Sequence, residues 1–225
     1  MSLKYPAAVL WDMDGTLIDS EHYWMQAEQE LASGYPGEWL PEHGLNLIGL
    51  SLYESTQIMK KQMQIHDLEP EQIIDFLTNS VLSQLMKEIH WRPGARELLL
   101  ELREQKIPTA LVTMSMNRMA NAVASNLGFK VFDLVLGGDD VQFGKPHPEP
   151  YLKAAELLGV NANECVAFED SLNGIASAEA AGTVAIGVPN LIEIPDAPTR
   201  TVWSGLAGKS LTDIAMVYTQ RTQQS

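Results

Sequence analysis

Two aspartates follow an apolar run near the beginning of this sequence. Residues 7–11 are Ala-Ala-Val-Leu-Trp, and Asp12, Met13, Asp14 and Gly15 come next. The run predicts a buried strand that stops at Gly15. Side chains two residues apart on a strand point the same way, so the carboxylates of Asp12 and Asp14 repel unless a cation or a shared proton relieves the repulsion. The pair therefore indicates a metal-assisted carboxylate nucleophile with an acid/base partner; the simpler alternative is an acidic strand end that caps a turn.

Three later segments place polar side chains at or just after the end of a predicted strand. One apolar run ends at Thr113, a proline-stiffened loop carries Lys145, and another run leads into Glu169 and Asp170. Hydroxyls and backbone N–H groups at the start of a helix form an anion-binding site. In open α/β sheets ligands bind at the carboxyl ends of the strands, so we expect these residues to belong to one site. Taken singly, a lysine is more often a surface charge and a strand-end threonine a cap.

The order nucleophile, hydroxyl, lysine and acidic pair resembles the haloacid dehalogenase-like (HAD) superfamily of phosphotransferases. Within it, the chain is similar to the branch that contains β-phosphoglucomutase and the small sugar-phosphate phosphatases. Residues 12–16 match the first family motif, Thr113 the second, Lys145 the third and residues 169–170 the fourth. The resemblance runs from residue 9 to about residue 189.

The resemblance implies a catalytic set of Asp12, Asp14, Thr113 and Lys145. Asp12 is expected to attack the phosphorus of a phosphomonoester and to form an aspartyl-phosphate. Asp14 is expected to protonate the leaving oxygen and later to take a proton from the attacking water. The family's dehalogenases lack an acid at this second position, which argues against dehalogenation.

The resemblance also implies a phosphate and substrate pocket. Thr113 and the backbone N–H groups of Met114 and Ser115 are expected to bind the phosphoryl oxygens, and Lys145 is expected to bridge them to the nucleophile. Ser115 and Asn117 are weaker candidates for lining the pocket.

The cofactor implied by the resemblance is Mg²⁺. Its expected ligands are Asp12, the backbone carbonyl of Asp14, Glu169 and Asp170, because Mg²⁺ prefers hard oxygen ligands. Glu169 is expected to reach the ion directly or through water. The alternative for Glu169 and Asp170 is that they cap the helix that begins near Ser171, where the helix dipole favours acids.

The elements that position these residues alternate between strand and helix patterns. The patterns predict strands at 7–11, 107–113, 134–137, 164–168 and 183–188, and helices at 95–105, 117–127, 148–158 and 172–181. A terminal helix is expected at 210–219. This alternation predicts the α/β class with a doubly wound parallel sheet, a Rossmann-like HAD core. Residues 21–90 interrupt the alternation with helical spacing, and the resemblance implies that they form an inserted α-helical cap domain, leaving 1–20 and 91–225 as the core domain.

The residues of the expected cap help to distinguish a hydrolase from a phosphohexomutase of the β-phosphoglucomutase type. Trp24 stands where those mutases carry a cap histidine, and Ile48 and Leu52 stand where they carry lysine and arginine. Few cations are available there to bind a second phosphate, so hydrolysis of a small phosphorylated metabolite is the better interpretation, with a sugar phosphate as the leading candidate. We expect Ile48, Leu50 and Leu52 to form an apolar rim. Two alternatives stay open: phosphonate cleavage through a cap lysine, Lys60 or Lys61, and a non-catalytic binding protein on the same fold.

Composition restricts the partners of the chain. The 225 residues carry a formal net charge of −14, which disfavours nucleic acid and anionic membranes. The single cysteine, Cys165, excludes an intrachain disulfide and fits a reducing cytoplasm, and the sequence shows no signal peptide or spanning segment. A cytoplasmic location is expected, and a monomer is the default for this branch.

Overall fold

A six-stranded parallel sheet forms the centre of the molecule in a computed structural model that describes residues 3–223. In chain order, the strands are β1 Ala8–Trp11, β2 Thr109–Val112, β3 Leu134–Leu136, β4 Cys165–Glu169, β5 Val184–Gly187 and β6 Arg200–Val202. Their order in the sheet is β3-β2-β1-β4-β5-β6, and each neighbouring pair is parallel.

Nine α-helices accompany the sheet within residues 3–223. They are α1 Glu21–Ala32, α2 Pro41–Leu45, α3 Leu52–Met63, α4 Pro70–Leu85, α5 Ala95–Glu104, α6 Asn117–Asn126, α7 Glu149–Leu158, α8 Leu172–Ala180 and α9 Leu211–Thr222. None of the helices in this part of the chain is both long and apolar enough to cross a membrane.

Both faces of the sheet are covered by helices. Side chains alternate along β1, so Val9 and Trp11 join the hydrophobic cluster that contains residues of α5, α6 and α9, whereas Ala8 and Leu10 join the cluster that contains residues of α7 and α8. A strand buried on both faces has no polar alternation, which explains the continuous apolar run in the sequence. The predicted α/β class with a doubly wound parallel sheet is confirmed.

The strand order brings the predicted motifs to one place. From β1 the chain moves outward through β2 and β3, and it then returns to β4 on the other side of β1. Ligand sites in such sheets lie where the strand order reverses, beyond the carboxyl ends of the strands. Asp12 follows β1 and its backbone N–H donates to the carbonyl oxygen of Phe168 at 3.1 Å, so Asp12 lies beside Glu169, the last residue of β4.

The helices α1 to α4 lie between β1 and α5 in the sequence. α4 packs against α1 and α3, with buried residues such as Ala27, Met59 and Leu77 between them. The loop before α3 contacts the start of α8: a Cβ on Gly49, whose φ is +77°, would lie 2.3 Å from Ser171 Oγ, and Asn173 Nδ2 donates to the carbonyl oxygen of Ile48 at 3.4 Å.

Two elements differ from the sequence prediction. β6 was not predicted, because its Arg-Thr-Val sequence is a partly exposed edge strand without an apolar run; Arg200 is instead fixed by Glu179, with 2.8 Å between Nε and Oε1. The terminal helix extends to Thr222, three residues beyond the predicted end.

Candidate active site

Gly15 makes the sharp turn that follows the two aspartates. Its φ is +76°, a left-handed conformation that glycine adopts without strain, and its N–H donates to the carbonyl oxygen of Ile18 at 2.9 Å. A Cβ at this position would lie 2.0 Å from Asp170 Oδ2. The absence of a side chain at Gly15 therefore lets the end of β1 approach the end of β4.

Lys145 lies between two buried carboxylates. Its Nζ is 2.7 Å from Asp12 Oδ1 and 2.6 Å from Glu169 Oε1, and it also donates to the carbonyl oxygen of Val112 at 2.9 Å. Burial alone would lower the pKa of Lys145, but the charges of Asp12 and Glu169 raise it above its ordinary value. Lys145 is therefore a permanent cation that fixes the Asp12 carboxylate from one side.

Tyr151 is a second donor to Glu169 that the sequence did not reveal. Its hydroxyl donates to Oε1, the same oxygen that Lys145 contacts, and Ser171 Oγ lies 3.4 Å from Oε2. Tyr151 is fully buried on α7. Burial, followed by the charges of Glu169 and Asp12, raises the pKa of Tyr151 well above its ordinary value, so the phenol keeps its proton and remains a donor.

Three buried carboxylates lie close enough to share one cation. Asp12, Glu169 and Asp170 each offer an oxygen, and these oxygens lie within 4.8 Å of one another. Asp170 Oδ2 is buried without a hydrogen-bond partner among residues 3–223. Burial raises the pKa of Asp12 to about 7 against the opposing effect of Lys145, and burial together with neighbouring carboxylates raises that of Asp170 well above its ordinary value. Three clustered carboxylates, one of which has a buried oxygen without a donor, fit a hard divalent cation such as Mg²⁺.

Asp14 is held by four side-chain donors. Oδ1 accepts from Ser20 Oγ at 2.5 Å and from Trp24 Nε1 at 2.9 Å. Oδ2 accepts from Ser115 Oγ at 2.7 Å and from Thr113 Oγ1 at 3.3 Å. The Asp14 carboxylate therefore lies against the hydroxyls at the end of β2, where an anion was predicted to bind.

The predicted phosphate-binding residues are close together at the end of β2. Ser115 N–H donates to Thr113 Oγ1 at 3.0 Å, and Met114 Sδ lies 3.2 Å from the backbone nitrogen of Lys145. Asn117 is placed differently: its N–H donates to Asp139 Oδ1 at 2.6 Å, and it is not among the described residues that line the cavity. A substrate contact by Asn117 stays a prediction.

A cavity of about 80 Å³ lies between these residues and the helices α1 to α4. Ile48, Leu50 and Leu52 line it, in the position expected for an apolar rim. Lys145 is the one lysine or arginine among the described residues of its wall. The cap-lysine alternative has no support here, because Lys60 Nζ donates to the carbonyl oxygen of Leu68 and neither Lys60 nor Lys61 belongs to the wall in the described part of the chain.

The cavity wall also contains two acids of α1, Glu21 and Glu28, which are not among the predicted site residues. They are 8% and 6% exposed. Burial is the main cause that raises the pKa of Glu21 to about 8 and that of Glu28 to about 7. A signal was present in the sequence: two acids seven residues apart share the helix face that carries Trp24 and Ala27.

Comparisons with known proteins agree with this arrangement. A family model of haloacid dehalogenase-like hydrolases matches residues 6–182. The phosphorylated carbohydrates phosphatase of Thermotoga maritima is 34% identical over 178 residues, which cover 78% of this chain and 81% of that protein. The fructose-1-phosphate phosphatase YqaB of Escherichia coli is 31% identical over 183 residues, covering 81% of this chain and 96% of that protein. A crystal structure of β-phosphoglucomutase from Clostridium difficile shares the fold, with a TM-score of 0.84 at 23% identity over 97% of this chain and 99% of that one.

Proposed function

We propose a specific reaction for this chain, which belongs to the haloacid dehalogenase-like hydrolase family and is a phosphatase. It hydrolyses a small sugar phosphate with Mg²⁺ through an aspartyl-phosphate intermediate. The observation that carries the proposal is Asp12, which Lys145 holds at 2.7 Å within a buried group of three carboxylates. Two relatives named as phosphatases of phosphorylated carbohydrates and of fructose 1-phosphate support the substrate class.

Asp12 is the proposed nucleophile. A carboxylate oxygen attacks phosphorus, the ester bond to the leaving oxygen breaks, and the phosphoryl group is transferred to Asp12. Water then attacks the same phosphorus, the acyl-phosphate bond breaks, and inorganic phosphate leaves. Two displacements of this kind replace one difficult step. Lys145 keeps Asp12 in position and offsets the negative charge of the phosphoryl group.

Asp14 is the proposed acid and base. It gives a proton to the leaving oxygen in the first step and takes one from water in the second. Its four hydrogen bonds mean that it reaches the leaving group only after it releases some of them. That release frees the hydroxyls of Thr113 and Ser115, which then donate to the phosphoryl oxygens together with the backbone of Met114.

The proposed Mg²⁺ ligands are Asp12, Asp170, Glu169 and the backbone carbonyl of Asp14. When bound, the ion reduces the repulsion between the anionic nucleophile and the anionic phosphate. Glu169 Oε1 contacts Lys145 and Tyr151, and Ser171 Oγ lies 3.4 Å from Oε2, so Glu169 would reach the ion directly or through water.

We propose the division of the chain into a core of residues 1–20 and 91–225 and a cap of residues 21–90. The cavity between them, about 80 Å³, is smaller than the several hundred cubic ångströms of a usual ligand pocket. The cap therefore moves to admit a sugar phosphate and closes to exclude water that would compete with the substrate. We further propose a cytoplasmic location, because the buried free Cys165 suits a reducing compartment, and a monomer, which is the default for this branch.

Hydrolysis is favoured over phosphohexomutase chemistry by the walls of the cavity. A mutase has to hold a second phosphate, and within the described wall Lys145, which already pairs with Asp12 and Glu169, is the one lysine or arginine. At the position of the mutase histidine, Trp24 is buried and its indole N–H donates to Asp14. A neutral indole cannot carry a proton to a substrate hydroxyl.

Phosphate release from a panel of sugar monophosphates and p-nitrophenyl phosphate, measured with and without Mg²⁺, tests the proposal. We expect Mg²⁺-dependent release that Asp12→Asn abolishes and that the exposed control Asp196→Asn leaves unchanged. Release from every substrate by Asp12→Asn at the wild-type rate would refute the nucleophile, and isomerisation of a sugar phosphate without release would indicate a mutase.

A further inference from the structure

Two buried acids of α1 line the cavity, and neither forms a salt bridge with a residue in the part of the chain that the structure describes. Glu21 and Glu28 are 8% and 6% exposed, and both line the cavity wall. Among residues 3–223, the Glu21 carboxyl has no hydrogen-bond or ion-pair partner, and Oε2 of Glu28 is buried without one. A buried polar group without a partner is costly, so its presence at a ligand cavity indicates that a ligand supplies the partner.

The surroundings of Glu28 make room for its carboxyl. A Cβ on Gly44 would lie 2.6 Å from Glu28 Oε2, so the glycine lets α2 approach this oxygen. The indole of Trp39 hydrogen-bonds to the Glu28 carboxyl. The side chain is therefore held in one place by its neighbours, while one of its oxygens lacks a donor.

We propose that the carboxyls of Glu21 and Glu28 hydrogen-bond to hydroxyl groups of the leaving group, so that the enzyme selects neutral, polyhydroxylated phosphomonoesters and rejects those with a second anionic group. This inference rests on the proposed phosphatase function and names the substrate class of the same site. In this proposal the pocket for the leaving group contains the carboxyls of Glu21 and Glu28 beside apolar side chains.

The spacing of the two acids suits a chain of hydroxyls. Ser20, the residue before Glu21, donates to Asp14 Oδ1 at 2.5 Å, which places Glu21 at the phosphoryl end of the cavity. Glu28 lies seven residues later on the same helix, about 10 Å along its axis. A leaving group that extends from the phosphoryl group along α1 therefore meets one carboxyl near the reacting end and another near its far end.

A hydroxyl suits these carboxyls better than an ammonium group does. Burial raises the pKa of Glu28 to about 7, so near neutral pH both of its protonation states are present. A hydroxyl donates to a carboxylate and accepts from a carboxylic acid, whereas an ammonium group pairs only with the ionised form. A second phosphate or a carboxylate on the substrate meets the ionised fraction of Glu28, and the part of the wall that the structure describes offers no lysine or arginine at this end of the cavity.

The test compares kcat/KM for sorbitol 6-phosphate, n-hexyl phosphate and fructose 1,6-bisphosphate with Mg²⁺. The first two share a six-carbon chain and differ in hydroxyls. We expect the wild type to prefer sorbitol 6-phosphate over both others. Glu28→Leu should reduce the ratio of kcat/KM for sorbitol 6-phosphate to that for hexyl phosphate at least tenfold, as expected for the loss of a charge-assisted hydrogen bond. Glu30→Leu, on the exposed face of α1, should leave this ratio unchanged.

Two further variants keep the test decisive. Glu28→Gln preserves the size of the side chain and removes its charge, so relative use of the bisphosphate should rise. Gly44→Ala moves the carboxyl without changing its chemistry, so the preference for sorbitol 6-phosphate should fall. An unchanged ratio in all three variants overturns the inference and leaves the phosphatase function standing. No phosphate release by the wild type from these substrates or from p-nitrophenyl phosphate overturns both.

Discussion

Glu28 offers a sharp prediction about stability and pH. Its carboxyl is 6% exposed, and burial raises its pKa from the ordinary value of 4.5 to about 7, opposed by a hydrogen bond from Trp39. The unfolded chain therefore releases this proton at lower pH than the folded chain does. Between pH 4.5 and about 7 the Glu28 carboxyl binds more protons in the folded state, so its contribution to the wild-type free energy of unfolding falls as pH rises through this range. Replacement by the neutral isostere in Glu28→Gln removes that loss.

The magnitude follows from the two pKa values. The difference between 4.5 and about 7 corresponds to about 3 kcal/mol when complete. About 2 kcal/mol of this develops between pH 5.5 and pH 8.5, because about 40% is already lost at the lower pH. Relative to wild type, Glu28→Gln should therefore gain about 2 kcal/mol in the free energy of unfolding across this interval, whatever constant offset the amide introduces.

Urea unfolding of both proteins at half-unit pH steps from 5.5 to 8.5 measures this difference. Glu30→Gln, on the exposed face of the same helix, controls for the general effect of removing one negative charge from an acidic protein and should show a nearly flat difference. If the difference in the free energy of unfolding between Glu28→Gln and wild type stays constant within about 0.5 kcal/mol from pH 5.5 to 8.5, the reasoning is refuted.

Three further substitutions probe the group around Asp12. Tyr151→Phe removes a buried donor from Glu169 and should raise the Mg²⁺ concentration for half-maximal activity about tenfold or more, measured by titration of phosphate release. Lys145→Met leaves Asp12 and Glu169 without their cation and should lower the free energy of unfolding by about 3 kcal/mol, besides abolishing turnover; unfolding at wild-type denaturant concentration would contradict this. Gly15→Ala strains a positive φ and places a methyl group against Asp170, so activity should be lost and the unfolding temperature should drop; a fully active Ala variant would show that the close approach is unnecessary.

The sheet was largely predictable from sequence because burial on both faces leaves a plain signal. β1 is apolar throughout and β4 is apolar up to its last residue, Glu169, and acids mark the end of both, so their existence and their carboxyl ends can be located. β6 gives no such signal, since an edge strand of three residues gains its stability from pairing with β5 and from the Arg200–Glu179 ion pair.

The site was predictable where it follows from strand ends and unpredictable where it depends on helix orientation. The carboxyl ends of β1 and β4 lie side by side, so Asp12 and Glu169 could be assigned together, whereas Lys145 lies in the loop before α7 and was assigned from the family resemblance. Tyr151 lies in the first turn of α7, and only the packing of that helix on the sheet turns its hydroxyl towards Glu169. Glu21 lies on α1, whose orientation is set by its contacts with α4.

Two side chains make local contacts that the sequence did not reveal. Asn117 is predicted to lie near the substrate, and acids on the turn after β3 accept hydrogen bonds from its backbone N–H and its amide at the start of α6. Trp24 was identified as the replacement for a histidine, yet its bond to Asp14 depends on the distance between α1 and the end of β1, which no sequence pattern specifies.

The most direct test of the account is to detect phosphate on Asp12 during turnover. Wild-type protein is mixed with substrate and Mg²⁺, quenched in acid within milliseconds, reduced with borohydride and analysed by peptide mass spectrometry. We predict that reduction converts residue 12 to homoserine in a substrate-dependent manner, while Asp14 and Asp170 stay unmodified. Rapid phosphate release with an unmodified Asp12 at every quench time would contradict the account.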